Sequence, residues 1–266
     1  MGKLVVFWSP YIGVAKVTAS LCVIVGSFGV HYPETDVAIC SALSNFYGPE
    51  EYLIDQSNTE FIKNIYKKTG IDVLKLHFRQ AMLSSEIIRN SAVSLKMKSL
   101  FLYPNSTCAE KEVDDITFQL MTETLKEEYE LVFLDLGSGE QDQKVHFLEH
   151  ADLIITVLPE ARRYRTHFLE NYETLLTKKR CCILIGGYLG KLFLAHKNYF
   201  SEKRQDKKCE TIGMIPLNMD YFKALEWGKT LDFFYRNQCP GKKEDNYEFI
   251  VQTKNAMEGI RKKIFL

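Results

Sequence analysis

The residues whose types and spacing best suit chemistry lie in one short loop near the start of the chain. Residues 9–18 read SPYIGVAKVT and follow a continuous apolar run at residues 3–8. A helix is expected directly after the loop, and a lysine at the first turn of a helix is unfavourable for the helix dipole. Lys16 therefore predicts an anion nearby, although a solvated lysine would fit the same pattern. Thr18 is also an ordinary capping residue for such a helix.

The loop agrees only in part with the phosphate-binding pattern G-x-x-x-x-G-K-[ST]. That pattern needs glycines so that backbone N–H groups can curl around phosphate, a lysine for the β/γ charge, and a hydroxyl that holds Mg²⁺. Here Pro10 and Ala15 stand at the glycine positions, Lys16 is present, and Val17 replaces the hydroxyl. By the motif alone this match fails.

One carboxylate is placed for metal chemistry. Asp135 lies near the end of an apolar stretch at residues 131–136, and in parallel sheets ligands bind beyond the carboxyl ends of the strands. We expect Asp135 to orient water bound to Mg²⁺, a role that the missing hydroxyl at Val17 leaves open. His146 and His150 are spaced i, i+4, but no third ligand is signalled, so a surface pair is the favoured interpretation.

The elements that position these residues follow from the hydrophobic periodicity. Apolar runs alternate with helical patterns, which is typical of β-α-β crossovers and a parallel sheet. Strands are predicted at residues 3–8, 37–40, 99–103, 131–136, 153–158, 181–185 and 211–215. Helices are predicted at residues 16–27, 116–128, 142–150, 163–177, 190–199 and 245–263, with broken helical patterns over 60–93, a solvated connector at 201–208 and two short helices after residue 215. The predicted fold is α/β: a doubly wound, mostly parallel sheet of seven or eight strands with helices on both faces, in one domain over residues 1–266.

Composition excludes several classes of protein. The 266 residues are 46% hydrophobic and 26% charged, so the chain can bury a core. Lys and Arg number 34, as do Asp and Glu, so the overall charge gives no argument for a nucleic-acid partner. The longest nearly apolar run, residues 19–30, is about half of the ~20 residues that span a bilayer. Seven cysteines without metal-binding spacing, and the lack of a secretion or lipid signal, predict free thiols in the cytoplasm.

Four segments, in the same order, resemble the ParA/MinD branch of P-loop ATPases. Residues 13–18, GVAKVT, are similar to the GVGKTT run of that family. Residues 128–139, EYELVFLDLGSG, resemble its strand that ends in Asp before a switch loop. Residues 151–160, ADLIITVLPE, resemble the next strand, and residues 212–216 with 224–229 resemble its late G-x-I-P strand and the A-x-x-x-G helix behind it. The resemblance spans nearly the whole chain and implies a P-loop NTPase-like fold.

The resemblance also implies a site. The cofactor would be ATP or ADP, with or without Mg²⁺, and Asp135 would act on the attacking water or reach the metal through water. Thr18 would contact the α-phosphate. The nucleotide-binding residues that the resemblance implies are Gly13, Val14, Ala15, Lys16, Val17, Thr18 and Pro216. Active members work in partition and cell positioning as ATP-dependent dimers, so a homodimer is implied.

Three departures from the family pattern imply an altered site. The signature lysine that reaches the nucleotide of the partner falls at Tyr11, and the acidic residue after the second strand falls within residues 38–42, which offer only Cys and Ser. The asparagine before the adenine pocket is replaced by Gly186 or Gly187. Such losses resemble atypical members, namely TadZ-like proteins that place pilus-secretion machinery at the cell pole and ParA-like proteins of mobile elements.

The function implied is therefore a ParA/MinD-like protein with a degenerate Walker A motif, acting as a weakly hydrolysing or non-hydrolysing positioning or assembly factor. One alternative is an active ATPase whose ATP-dependent dimerisation drives partition or polar localisation. A second alternative is an interaction scaffold that binds no ligand.

Two surfaces carry hypotheses about partners. Residues 160–210 hold 12 basic and 6 acidic side chains, which fits non-specific DNA contact of the kind made by partition ATPases, or simply solvated helix ends. Residues 257–266 resemble the short basic amphipathic helix with which MinD proteins lie on the inner face of the membrane. A last helix docked on the sheet would show the same apolar stripe and is the favoured interpretation.

Overall fold

The structure is a computed structural model that describes most of the chain. The described residues are 1–42, 48–57, 64–65, 68–80, 83–105, 115–139, 145–188 and 209–265, without the side chains of residues 115–118 and 145–146. The predicted helix at 190–199 and the predicted connector at 201–208 lie outside these residues.

One sheet of eight strands runs through the described part of the chain. The strands are β1 (Lys3–Ser9), β2 (Val37–Ser41), β3 (Val93–Ser94), β4 (Leu100–Leu102), β5 (Leu131–Ser138), β6 (Leu153–Leu158), β7 (Cys181–Tyr188) and β8 (Glu210–Pro216). Their order is β3-β4-β2-β5-β1-β6-β7-β8, and every neighbouring pair is parallel except β3 with β4. The predicted doubly wound, mostly parallel sheet is confirmed. The strand order reverses next to β1, which is where sheets of this kind bind ligands.

Helices cover both faces of the sheet. They are α1 (Val17–His31), α2 (Glu50–Leu53), α3 (Ile71–Arg79), α4 (Ser85–Asn90), α5 (Asp115–Glu128), α6 (Val145–His150), α7 (Arg162–Asn171), α8 (Glu173–Lys178), α9 (Met219–Glu226), α10 (Thr230–Arg236) and α11 (Tyr247–Phe265). Apolar side chains of α1, α2 and α9–α11 join one buried cluster, and those of α3–α8 join a second cluster on the other face. The site at the strand ends is therefore held between two packed layers.

Strand β1 lies at the centre of this arrangement because its sequence is apolar without alternation. Val5 and Phe7 are buried in one cluster, whereas Leu4, Val6 and Trp8 are buried in the other. Successive side chains of a strand point to opposite faces, so a continuous apolar run suits a strand that is covered on both sides.

The C-terminal helix α11 is docked on the sheet. Its apolar stripe, which includes Ala256, Met257 and Ile260, is buried against β8 and α1. The approach is close: a Cβ at Gly213 of β8 would lie 2.4 Å from the Cβ of Ala256. The docked interpretation of this stripe is the one the structure shows. No helix in the described ranges is both long enough and apolar enough to cross a bilayer.

The structure corrects the prediction in three places. Strand β3 and helix α2 were not predicted, because segments of two and four residues are too short to show a hydrophobic period. The single helix predicted over 163–177 is instead two helices, which meet at Tyr172 with φ −114° and ψ 27°. At this break the Tyr172 ring stacks on Phe168 and meets the edge of Trp8 at a centroid distance of 5.6 Å.

Candidate functional site

The ends of three central strands bring the predicted site residues to one edge of the sheet. In the strand register, Asp135 of β5 lies beside Phe7 of β1 on one side and beside Ser41 of β2 on the other. The loop at residues 10–16 leaves β1 at this edge and leads directly into α1. Lys16 and Asp135, which are far apart in sequence, are thus placed at the ends of neighbouring strands.

Lys16 occupies an unusual backbone conformation. It is the N-cap residue of α1 with φ 58° and ψ 43°, and it is the one non-glycine residue with positive φ in the part of the chain that the structure describes. The left-handed region costs an L-residue roughly 1–2 kcal/mol. Its side chain is exposed, and within the described ranges its ammonium forms no ion pair. The loop thus holds a strained residue at a helix N-terminus, and the positive charge of that residue has no ion-pair partner among the described side chains.

Backbone N–H groups of the loop around Lys16 have no acceptor in the part of the chain that the structure describes. No backbone N–H group from Gly13 to Thr18 donates to another described residue, whereas the carbonyl of Lys16 accepts from the N–H of Ser20 at 2.9 Å. Gly13 and Val14 are exposed, and Gly13 has φ 77°. Unpaired N–H groups at a helix start are a general binding site for anions.

Two other loop residues differ from what metal chemistry needs. Val17 is 4% exposed and has no hydroxyl. Ala15, within the loop, is fully buried. Thr18 is half-buried in the first turn of α1 and is the first hydroxyl after Lys16. The structure therefore keeps the charge and the donors of a phosphate loop but lacks its usual metal-holding hydroxyl.

Strand β7 approaches this loop through two glycines. A Cβ at Gly186 would lie 2.9 Å from both the carbonyl oxygen of Ala15 and the hydroxyl of Ser20. A Cβ at Gly187, which has φ 63°, would lie 4.0 Å from the Cγ of Lys16. The glycines that replace the expected asparagine thus let β7 and the loop pack closely, a reason that the sequence did not reveal.

Asp135 is fully buried and is fixed by the segment that follows it. Its Oδ1 accepts a hydrogen bond from the N–H of Gly137 at 2.8 Å. The N–H of Gly139 donates to the carbonyl of Ser9 at 2.9 Å, and the indole of Trp8 donates to the carbonyl of Gly139 at 3.0 Å. The loop after β5 is therefore tied to the end of β1, beside the start of the Lys16 loop.

A second carboxylate at this edge was missed by sequence reasoning. Glu50, in the first turn of α2, is only 5% exposed, and burial, with smaller contributions from the charges of Glu51 and Asp135, raises the pKa of its carboxyl to about 7. Burial and then the charges of Asp135 and Glu50 also raise the pKa of the Cys22 thiol on α1. Glu50 and Asp135 are thus both buried carboxylates. No motif could have signalled Glu50, because a four-residue helix after a loop has no recognisable pattern.

Tyr11, which the sequence resemblance aligns with a signature lysine, is hydrogen-bonded within its own chain. Its hydroxyl donates to the carbonyl of Tyr164 at 2.8 Å and is hydrogen-bonded to Nδ1 of His167 at 2.9 Å. Burial, followed by Tyr172 and Tyr164, raises the pKa of this phenol to about 12. The side chain thus joins the loop to helix α7.

The remaining predicted residues lie further from the loop. Pro216 ends β8 and pairs with Tyr188 of β7, so it lies one strand beyond the glycines that meet the loop. His150 is exposed on α6, and the side chain of His146 lies outside the description. No group of three or more His, Cys, Asp or Glu side chains among the described residues could hold a metal ion.

The predicted basic surface is divided. Arg162 and Arg163 are exposed at the start of α7, but Arg165 is 5% exposed. Lys178 and Arg180 are exposed at the far end of α8, beside the start of β7. Lys203, Arg204, Lys207 and Lys208 lie outside the described residues. Arg165 is therefore inside the fold, and DNA contact through residues 160–210 stays a prediction.

Comparison with solved structures shows which known proteins share this fold. No protein-family model matches the sequence, and no curated protein does. Among solved structures, MinD cell division protein from Aquifex aeolicus is 14% identical over 98% of each chain, with a TM-score of 0.66. MinD from Pyrococcus horikoshii in complex with Mg-ADP is 13% identical over 100% of each chain (TM-score 0.66). A ParA family ATPase from Chlorobium tepidum is 16% identical over 94% of this chain and 98% of its own (TM-score 0.65). The chain therefore has the fold of the MinD and ParA P-loop ATPases.

Proposed function

We propose that the chain is a ParA/MinD-like nucleotide-binding protein with a degenerate site, which hydrolyses ATP weakly or not at all and acts as a positioning or assembly factor. The observation that carries the proposal is Lys16, a strained lysine at the start of α1 that forms no ion pair with any described residue. Backbone strain of this kind persists where surrounding structure enforces it, and it concentrates at ligand sites.

Phosphate is the ligand that these features favour. A phosphate group next to Lys16 would accept hydrogen bonds from the free N–H groups between Gly13 and Thr18 and would interact favourably with the positive end of α1. Gly186 and Gly187 of β7 place no side chain against the loop, and Pro216 on the next strand is a candidate for contact with adenine. ADP and ATP each contain both a phosphate group and an adenine base. The MinD structure from Pyrococcus horikoshii holds Mg-ADP, which is consistent with this choice.

Weak hydrolysis follows from two substitutions. Val17 provides no hydroxyl for Mg²⁺, and Tyr11 is hydrogen-bonded to α7 of its own chain where active relatives would carry a lysine for the partner's nucleotide. Both changes remove positive charge from the transferred phosphoryl group, and stabilisation of that charge is the main source of catalysis in phosphoryl transfer.

The positioning role and a homodimer are inferred from the fold. The solved neighbours are cell division MinD proteins and ParA family ATPases, and one of the MinD structures contains MinC as a partner. A chain with the same fold and a weakened site would keep the surfaces for assembly while losing rapid turnover.

Calorimetric titration with ADP and ATP tests the proposal. The wild type should bind both nucleotides, Lys16→Ala should bind them much more weakly, and the control Lys254→Ala, an exposed lysine on α11, should bind as the wild type does. ATP turnover should fall far below the ~1–100 s⁻¹ typical of kinases. A wild type that binds neither nucleotide would favour the scaffold without ligand.

An active ATPase is the second candidate, because the buried carboxylate of Asp135 lies near the end of β5, next to the strand from which the Lys16 loop leaves. Steady hydrolysis at a kinase-like rate that Lys16→Ala abolishes would establish it and would contradict the degenerate site.

A further inference from the structure

Tyr11 is the residue whose side chain attaches the Lys16 loop to helix α7. Its hydroxyl donates to the backbone carbonyl of Tyr164 at 2.8 Å and lies 2.9 Å from Nδ1 of His167. Its ring also meets the ring of Tyr164 edge-on at a centroid distance of 4.8 Å and lies 5.8 Å from the ring of His167. Tyr164 and His167 are spaced i, i+3, so both partners lie on one face of α7. We call this set of contacts the Tyr11 latch.

The latch determines which nitrogen of His167 carries a hydrogen. A phenol has one proton, and the Tyr11 hydroxyl donates it to the carbonyl of Tyr164. In the contact with His167, Nδ1 is therefore the donor and the phenol oxygen is the acceptor. The neutral ring is then the Nδ1–H tautomer, with Nε2 as its acceptor. This tautomer is a signature of the latch, because removing the phenol oxygen removes the acceptor that selects it.

Helix α7 is the fixed side of the latch. Phe168 on this helix is fully buried and meets the edge of Trp8 of β1 at a centroid distance of 6.5 Å. The loop itself is held less firmly. The backbone N–H of Tyr11 donates to the hydroxyl of Ser9 at 3.2 Å, but residues 12–14 are exposed. The latch therefore restrains an exposed loop against a packed helix.

This restraint bears on ligand binding because the candidate phosphate-binding groups directly follow Tyr11 in the chain. They are the ammonium group of Lys16 and the backbone N–H groups from Gly13 to Thr18. A loop with several conformations binds its ligand only through the fraction that presents these groups together, and the apparent affinity falls by that fraction. Holding the loop in one conformation beforehand reduces the ordering cost of binding.

We propose that Tyr11 is a positioning residue for the Lys16 loop, which it holds against α7 in the arrangement that receives a phosphate group. The inference rests on the proposed function, because it needs a phosphate-bearing ligand at this loop. Tyr11 thereby acts within its own chain, whereas the family resemblance implies a lysine that reaches the nucleotide of the partner. By linkage, a ligand that binds better to the latched loop also stabilises the latch.

The latch itself is tested without nucleotide. Tyr11→Phe keeps the ring and removes the hydroxyl, and the control Tyr235→Phe makes the same change at a tyrosine of α10 that is 68% exposed. ¹⁵N NMR of His167 at about pH 8, where an ordinary imidazole is neutral, identifies the tautomer. The wild type and the control should show Nδ1–H, and Tyr11→Phe should shift towards Nε2–H.

The positioning role is tested by calorimetric titration of the same proteins with ADP. The net contribution of one hydrogen bond corresponds to a factor of about 2–12 in an equilibrium constant. Tyr11→Phe should therefore bind ADP about 3–10-fold more weakly than the wild type, and Tyr235→Phe should bind it equally well. His167→Ala should also weaken ADP binding. His167→Asn should restore part of the affinity, because its amide can donate to the phenol oxygen.

Each contrary result has its own meaning. An Nε2–H tautomer of His167 in the wild type would show that the latch does not form and would overturn the proposal. An Nδ1–H tautomer with equal ADP affinity in the wild type and Tyr11→Phe would overturn the positioning role and leave nucleotide binding standing. A wild type that binds no ADP would overturn both the positioning role and the proposed function. If Tyr11→Phe does not fold, the comparison of His167→Ala with His167→Asn decides the question.

Discussion

At the scale of single residues, substitution can separate two properties of Lys16: the strain of its left-handed backbone and the positive charge of its side chain. Glycine adopts positive φ freely, so Lys16→Gly relieves the strain while removing the charge. Alanine removes the charge and keeps a Cβ in the strained conformation. We expect Lys16→Gly to raise the free energy of unfolding by about 0.5–1 kcal/mol over the wild type, and Lys16→Ala to give no such gain.

Urea unfolding and ADP titration of both variants check this prediction. Both should lose most of the affinity for ADP, since both lack the ammonium group. Equal stability of the two variants would show that the left-handed backbone at Lys16 is not strained, and unchanged ADP binding would show that its charge has no phosphate partner.

Glu50 gives a pH dependence whose sign follows from its raised pKa. The pKa is about 7 in the folded state against the ordinary 4.5, so the folded protein binds more protons than the unfolded chain between these values. Stability from this group is complete below about pH 4.5 and is lost as the pH rises through 7. In EDTA, Glu50→Gln should match the wild type near pH 4.5 and exceed it by roughly 3 kcal/mol at pH 8.

Denaturant unfolding at several pH values measures this difference, with exposed Glu226→Gln on α9 as the control. The gap between Glu50→Gln and the wild type should widen with pH, and the control should show no gap. A gap that stays constant from pH 4.5 to pH 8 would mean that the carboxyl titrates normally.

At the scale of elements, the sequence predicts what periodicity encodes. Strand β6 begins and ends at the predicted residues, 153 and 158, because a buried strand carries a continuous apolar run between polar neighbours. The candidate site residues Lys16 and Asp135 were predicted from their positions at or after the ends of such strands. Helix α2 and its Glu50 were not, because four residues contain no period and their burial depends on packing against three other helices. The burial of Arg165 was not predicted for the same reason: a cluster of arginines does not show which side chain enters the core.

The docking of α11 leads to a prediction about this helix. Ile260 is fully buried against the sheet, whereas Lys262 is exposed. Ile260→Ala should lower the free energy of unfolding by about 2–5 kcal/mol, the range for truncating a large buried side chain. Lys262→Ala should change it by less than about 0.5 kcal/mol. Urea unfolding measures both.

Sedimentation with anionic vesicles tests the alternative for the same helix. The wild type should stay in the supernatant, since its apolar stripe is buried in the core. Vesicle binding by the wild type that Lys262→Ala weakens would mean that α11 leaves the sheet and that residues 257–266 reach a membrane.

At the scale of the whole molecule, the two helix layers and the sheet meet at the loop that carries Lys16. This loop leaves the central strand β1, starts α1 in one core cluster, and is tied through Tyr11 to α7, whose Phe168 belongs to the other cluster. A ligand at the loop would therefore lie next to a segment that is joined to both layers. Binding there should stabilise the entire fold and not only the loop.

Thermal unfolding with nucleotide measures that stabilisation and separates the three candidate functions. A ligand at 100 times its Kd adds about 2.7 kcal/mol of stability. For a chain of this size one kcal/mol raises the Tm by roughly 2–4 °C, so Mg-ADP at that concentration should raise the Tm by about 5–10 °C. Lys16→Ala at the same concentration should show almost no shift.

Analytical ultracentrifugation with ATP and with ADP completes the comparison. A degenerate positioning factor should show the Tm shift and the same oligomeric state with either nucleotide, because ATP is not consumed to switch it. An active ATPase should form dimers with ATP and return to monomers as ATP is hydrolysed. A scaffold should show neither a shift nor a change in mass, and that result would end the proposal that Lys16 binds phosphate.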